Sequence, residues 1–178
     1  MNSKHSPIFP KRLQTPTDDD YNVICKMREE AGWNKHLVGK WMSDVEKNDL
    51  VFWIFYEDHT MQKAVGSSGI DLNGLDKDLS DPQSLKACIA HTFVYPEHRG
   101  KGYGREIALT CINYAFQELN LKEVTVCIAA LNVASLKLFL SLGFEEFKRK
   151  QMNWAPQKPY DATNWNALAV FMRKYLTE

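Results

Sequence analysis

Apolar positions along the chain switch between a helical and an extended period. The first dozen residues, with Pro7 and Pro10, follow neither, so residues 1–17 read as an arm or short edge strand ahead of a single domain over 18–178. Thr17 or Asp18 then caps a helix. Asp18, Asp19 and Asp20 suit the positive end of its dipole, Val23, Ile24 and Met27 form its apolar face, and Gly32 suits its stop. Leu37, Val38, Trp41, Met42 and Val45 repeat helical spacing in a second helix, from about Asn34 until Asn48 and Asp49 end the pattern. The aromatic and β-branched run over 51–56 predicts a buried strand, with 64–72 as its hairpin partner. A polar loop with Asn73, Gly74, Asp76, Asp78 and Asp81 leads to a strand over 85–94. The clearest helix follows, its stripe made by Ile107, Ala108, Cys111, Ile112, Ala115, Phe116 and Leu119. A strand over 124–128, a helix over 133–142 and strands over 144–152 and 167–173 complete the pattern, the last two separated by an aromatic loop over 154–166. This order predicts a mixed sheet flanked by helices.

The 178 residues, 44% of them hydrophobic, suit one domain with a sizeable core. Twenty-two basic residues balance 22 acidic ones, so no strong overall field gathers nucleic acid or anionic membrane. The longest apolar runs fall short of the roughly 18–20 residues of a membrane span, and the N-terminus lacks a signal-peptide core. The expectation is a cytoplasmic or nuclear protein with neither nucleic acid nor membrane as partner. Cys25, Cys88, Cys111 and Cys127 include no C-x-x-C pair, and the five histidines include no pair three to five residues apart, so neither a disulfide framework nor a metal site is expected. Charge is segregated nonetheless. Residues 13–81 carry 14 acids and 7 bases, whereas residues 82–178 carry 8 acids and 12 bases.

Between the strand ending at Val94 and the long helix lies Arg99-Gly100-Lys101-Gly102-Tyr103-Gly104-Arg105. Three glycines in five residues let successive backbone N–H groups point into one concavity, and the helix behind adds its dipole, which together suit a pyrophosphate. Lys101 is followed by Gly102 rather than Ser or Thr, which excludes a Walker A loop. Neither glycine frame completes G-x-G-x-x-G, because Arg105 and Ile107 stand at the third position.

Val94-x-Pro96 followed by Arg99-x-x-Gly102-x-Gly104 resembles the acetyl-coenzyme A loop of the GNAT superfamily of N-acetyltransferases. Asn132-x-x-Ser135-x-x-x-Phe139-x-x-x-Gly143-Phe144 resembles the second signature of the same family, and Arg28-Glu29-Glu30-Ala31-Gly32-Trp33 resembles its substrate-side helices. The resemblance implies an α/β (α+β) fold, with a mostly antiparallel sheet of about six to seven strands flanked by about four helices. The strand containing Thr92 would splay from the one containing Val126, leaving a slot in which the pantetheine arm mimics a strand. Phe93 and Val94 would offer backbone groups to that arm, Arg99 to Arg105 would cradle the pyrophosphate, and Asn132 and Ser135 would lie beside the thiol. Asn132 also suits a helix N-cap, and Phe139 suits core packing.

The implied activity is transfer of an acetyl group from acetyl-coenzyme A to a primary amine by direct attack. The alternative is a non-catalytic acyl-coenzyme A-binding module of the same fold. The acceptor would be a small-molecule amine or a protein amine, with a homodimer left open. Phe139 stands where many members carry a tyrosine acid, leaving Ser135, Tyr103 or water to protonate the thiolate, or a thiolate that departs unprotonated. Regular alternation puts Cys88 at the position for a base and turns His91 away, and a β-bulge would reverse this. Glu29, Glu30 and Trp33 are the acceptor-side candidates, and Asp71, Asp76 and Asp78 extend an acidic rim suited to a polycationic acceptor.

Overall fold

A computed structural model describes residues 7–33, 35–153 and 166–176. The chain runs through β1 (Phe9–Leu13), α1 (Asp18–Glu30), α2 (Val38–Glu46), β2 (Leu50–Tyr56), β3 (Ala64–Asp71), β4 (Lys86–Val94), α3 (Tyr103–Gln117), β5 (Glu123–Ala129), α4 (Val133–Ser141), β6 (Glu145–Asn153) and β7 (Asn166–Tyr175). Local chemistry sets several of these boundaries. Asp20 N donates to Thr17 Oγ1 at 3.3 Å while Asp20 Oδ2 accepts from Thr17 N at 3.1 Å, closing a capping box that starts α1. A 3₁₀ turn over Lys35–Leu37 precedes α2, whereas the sequence pattern begins that helix near Asn34, which lies outside the described residues. The aromatic loop expected after β6 also falls outside them, from 154 to 165.

The seven strands form one sheet in the order β1-β2-β3-β4-β5-β7-β6. Every neighbouring pair is antiparallel except β4 with β5. Alternation along β2 feeds a core on each face. Leu50, Phe52, Ile54 and Tyr56 join the α1 and α2 residues Ile24, Met27, Val38 and Trp41, while Trp53 and Phe55 join Ile107, Cys111 and Ala115 of α3. Phe52 and Phe55 are both fully buried, each contributing about 1.5–3 kcal/mol on burial.

The parallel pair positions the site. β4 and β5 share only the rungs Lys86↔Glu123, Ala87↔Val124 and Cys88↔Thr125. Beyond Cys88, β4 continues to Val94 and β5 to Ala129 without pairing to each other, so the two strands part and leave facing edges. This is the splayed, mostly antiparallel sheet that the family resemblance implies.

Candidate active site

The parted end of β4 is irregular. Ser67 pairs with Phe93 and Gly69 with Ala90, so His91 and Thr92 together face the single residue Ser68. This is a β-bulge, and His91 takes a φ of 58° within it. Regular alternation would set His91 and Phe93 on the face of Ile89, which packs in the α3 core. The bulge instead moves Phe93 into the α1 and α2 core and lays the His91 ring on Trp41, with centroids 3.9 Å apart, and near Phe52 at 6.2 Å. Burial, with Arg28 and Lys40 nearby, pushes His91 down to about 3, so its imidazole is neutral at neutral pH. Cys88 is buried, and desolvation pushes its thiol up to about 12 despite hydrogen bonding to Thr125. Neither of the two residues proposed from sequence as base is tuned to take a proton near neutrality, since burial works against the charged form of each.

At the end of β4 the chain turns through a 3₁₀ segment, Pro96–His98, into the glycine loop. Arg99 Nε donates to Val94 O at 3.0 Å and so ties the loop back to the strand. Gly100 and Gly102 have φ of 74° and 88°, a region that penalises a Cβ, and Gly102 is the N-cap of α3. The first amides of the helix to reach back are those of Arg105 and Glu106, both to Gly102 O, leaving the preceding amides outside the α3 ladder. A Cβ on Gly100 would meet nothing within 4 Å, and one on Gly104 would meet only Leu138 at 3.7 Å. Neither position is crowded by the rest of the protein, and the N-terminal end of the α3 dipole favours an anion. Two side chains of the motif do other work. The Tyr103 ring is buried against His98 at 5.9 Å, and Arg105 Nη1 donates to Ser141 Oγ at 3.1 Å, joining α3 to α4.

Across the gap, Asn132 Oδ1 accepts from Ser135 N at 3.2 Å and caps α4. Ser135 is half-buried, on the first turn of that helix. Phe139 is buried and meets Phe144 edge-on at 5.0 Å, as a core side chain does.

Glu29, Glu30 and Trp33 lie at the C-terminal end of α1. Trp33 meets Phe93 at 6.3 Å, and the buried Arg28 guanidinium lies 5.0 Å from the Trp33 ring and 4.6 Å from that of Trp41. Glu29 is exposed and paired with Lys35 at 2.5 Å, and Glu30 is exposed. Asp78 is paired with Lys148, and Asp76 lies 3.5 Å from Lys150, so lysines offset much of the expected acidic rim. Burial raises the Asp71 carboxyl, which accepts from Asn73 N. Reading by motif missed Trp41, Ser67 and Ser68. The serine pair did leave a signal, two adjacent hydroxyls inside the strand Ala64–Asp71. Among the described residues no group of three or more His, Cys, Asp or Glu gathers as a metal site.

Residues 12–145 match the model of the acetyltransferase (GNAT) domain. The chain belongs to the GNAT family of acetyltransferases. An N-acetyltransferase 9-like protein of Nematostella vectensis is 24% identical to it over 170 residues, covering 94% of this chain and 83% of that protein. A spermidine N(1)-acetyltransferase of Vibrio cholerae is 34% identical over 53 residues, 30% of this chain and 31% of that one. Among solved structures, spermidine N-acetyltransferase from Vibrio cholerae in complex with CoA and spermine superposes with a TM-score of 0.70 at 16% identity, covering 94% of this chain and 95% of that one. Spermidine/spermine N-acetyltransferase from the same organism in complex with manganese ions also gives 0.70 at 16% identity, covering 97% of this chain and 94% of that one. In this GNAT acetyltransferase the two recognised signatures thus bracket the parting of β4 from β5.

Proposed function

We propose that the protein transfers the acetyl group of acetyl-coenzyme A to the primary amine of a small molecule. One observation carries this reading: β4 and β5 separate after Cys88 and Thr125, directly before a glycine loop that opens a 15-residue helix. An extended pantetheine arm suits the unpaired edges, and a pyrophosphate suits the amides of Lys101, Gly102 and Gly104. Acetyl-coenzyme A supplies an activated thioester. The amine nitrogen forms the new bond to the acetyl carbon, the carbon–sulfur bond breaks with its electron pair on sulfur, and the ammonium proton goes to solvent. The backbone N–H near Val94 stabilises the oxyanion, and as the tetrahedral species collapses the second proton lost by the nitrogen passes through Ser135 or water to the departing thiolate.

His91, held neutral against Trp41, walls the acceptor side and does not store the proton. Deprotonation then follows the amine's own ionisation, and orientation in the slot supplies much of the rate, on the order of 7–11 kcal/mol for a well-oriented pair. The CoA-bound Vibrio cholerae structure of like fold and the acetyltransferase relatives support this reading. A second reading, an acyl-coenzyme A-binding module without turnover, is favoured by one observation: Cys88 and His91 are both tuned away from neutral pH. Thiol release from acetyl-coenzyme A, followed with a panel of monoamines, polyamines and peptide amines, separates the two. Amine-dependent release is expected. Tight coenzyme A binding with no release for any amine would establish the module instead.

A further inference from the structure

Between the flanking pairs Ser67↔Phe93 and Gly69↔Ala90, side chains bridge the β4 bulge. Ser67 Oγ donates to His91 O at 3.2 Å, Ser68 Oγ lies 2.8 Å from Thr92 Oγ1, and Ser68 Oγ makes a long 3.5 Å contact to Ala90 O. Ser67 and Ser68 are 4% and 0% exposed, in a strand whose other buried members include Val65 and Ile70. A hydroxyl taken that far from water is costly unless bonded, and apolar residues would fill the same space. These side-chain bonds from the serine pair to β4 end on Ala90, His91 and Thr92. His91 and Thr92 share one opposing residue, so regular pairing is interrupted there, and the hydroxyls add bonds across the interruption.

We infer that Ser67, Ser68 and Thr92 are positioning residues that clamp the β4 bulge to β3. The inference rests on the acetyl-transfer reading above. The bulge lies at the expected thioester end of the slot, and α3 carries the pyrophosphate loop. The clamp of Ser67, Ser68 and Thr92 hydroxyls holds that end of the slot. Loosening it misaligns the carbonyl with its oxyanion donor while leaving the phosphate loop intact. A misplacement of this kind lowers kcat more than it weakens cofactor binding.

The test uses Ser68→Ala, the isosteric Thr92→Val and the hydroxyl-retaining Thr92→Ser, each with three readouts. Ser68→Ala and Thr92→Val are expected to lower kcat about tenfold while leaving the Kd of coenzyme A within about twofold, and Thr92→Ser is expected to restore most of kcat. The double variant should lose little more than either single one, because both break the same link. The third readout is independent of turnover. The His91 ring protons, shifted by Trp41 at 3.9 Å, should move towards unshifted positions in the NMR spectra of Ser68→Ala and Thr92→Val but not of Thr92→Ser. Unchanged kcat and unchanged His91 signals in a folded double variant would overturn the clamp, as would kcat and coenzyme A affinity falling in parallel. If the wild type transfers no acetyl group to any amine, the acetyl-transfer reading fails by itself. The His91 signals then decide whether the hydroxyls hold the bulge: unchanged signals overturn that too, and shifted signals confine the clamp to a binding fold.

Discussion

His91 shows how a single residue is governed by what packs on it. Its folded-state pKa of about 3 lies below the ordinary 6.5, so the fold excludes a proton that the unfolded chain binds. The resulting stability is fully present above pH 6.5 and is lost as pH falls towards 3. Thermal unfolding of the wild type should therefore fall more steeply across that window than that of His91→Asn, a residue that also tolerates positive φ. Because the ring is neutral, kcat/KM should rise with the acceptor's own ionisation and show no inflection from His91 near 6.5. Phe139 gives the complementary case. Its ring packs against Phe144, so Phe139→Ala should destabilise by about 3–5 kcal/mol in denaturant unfolding, while Phe139→Leu keeps most of the stability and its turnover per folded molecule.

At the scale of elements, the glycines of the loop separate into two kinds. Gly102 caps α3 at φ 88°, so Gly102→Ala should cost about 1–2 kcal/mol of stability through backbone strain. Gly104 lies inside α3, where a Cβ meets only Leu138 at 3.7 Å, so Gly104→Ala should keep or raise the melting temperature. If a pyrophosphate approaches there, calorimetry should still show coenzyme A binding to Gly104→Ala weakened about tenfold, the equivalent of about 1.4 kcal/mol. Unchanged affinity would remove Gly104 from the cradle. On β3, a Cβ at Gly66 would stand 2.2 Å from Phe93 O, a backbone atom with little room to yield. Gly66→Ala should consequently be among the most destabilising single changes next to the slot.

Across the whole molecule, the charge asymmetry is partly cancelled. Residues 13–81 are acidic as a segment, yet Lys148 and Lys150 from β6 meet Asp78 and Asp76. Arg28 and Lys40 make the surroundings of His91 positive. Steering of a polyamine by the acidic half is then weak. Between 0.1 M and 1 M salt, where the Debye length falls from about 10 Å to about 3 Å, kcat/KM for a polyamine should change by less than about threefold. A change of tenfold or more would restore the acidic rim as a determinant of acceptor choice.

Hydrophobic period alone determined the elements and their order, since the stripe from Ile107 to Leu119 and the run over 51–56 have no other stable reading in water. Glycine spacing likewise made the loop before α3 legible, because the positive φ of Gly100 and Gly102 needs only the absence of a Cβ. The facing of β4 was not legible. Alternation is a local rule, and the bulge that breaks it at His91 depends on Ser67 and Ser68, 24 and 22 residues away from the carbonyls they reach. Nor could the sequence state the protonation of Cys88 and His91, because each pKa is set by desolvation and by charges on other elements. Contacts between elements decided both, and they exist only once the sheet has closed over its two cores.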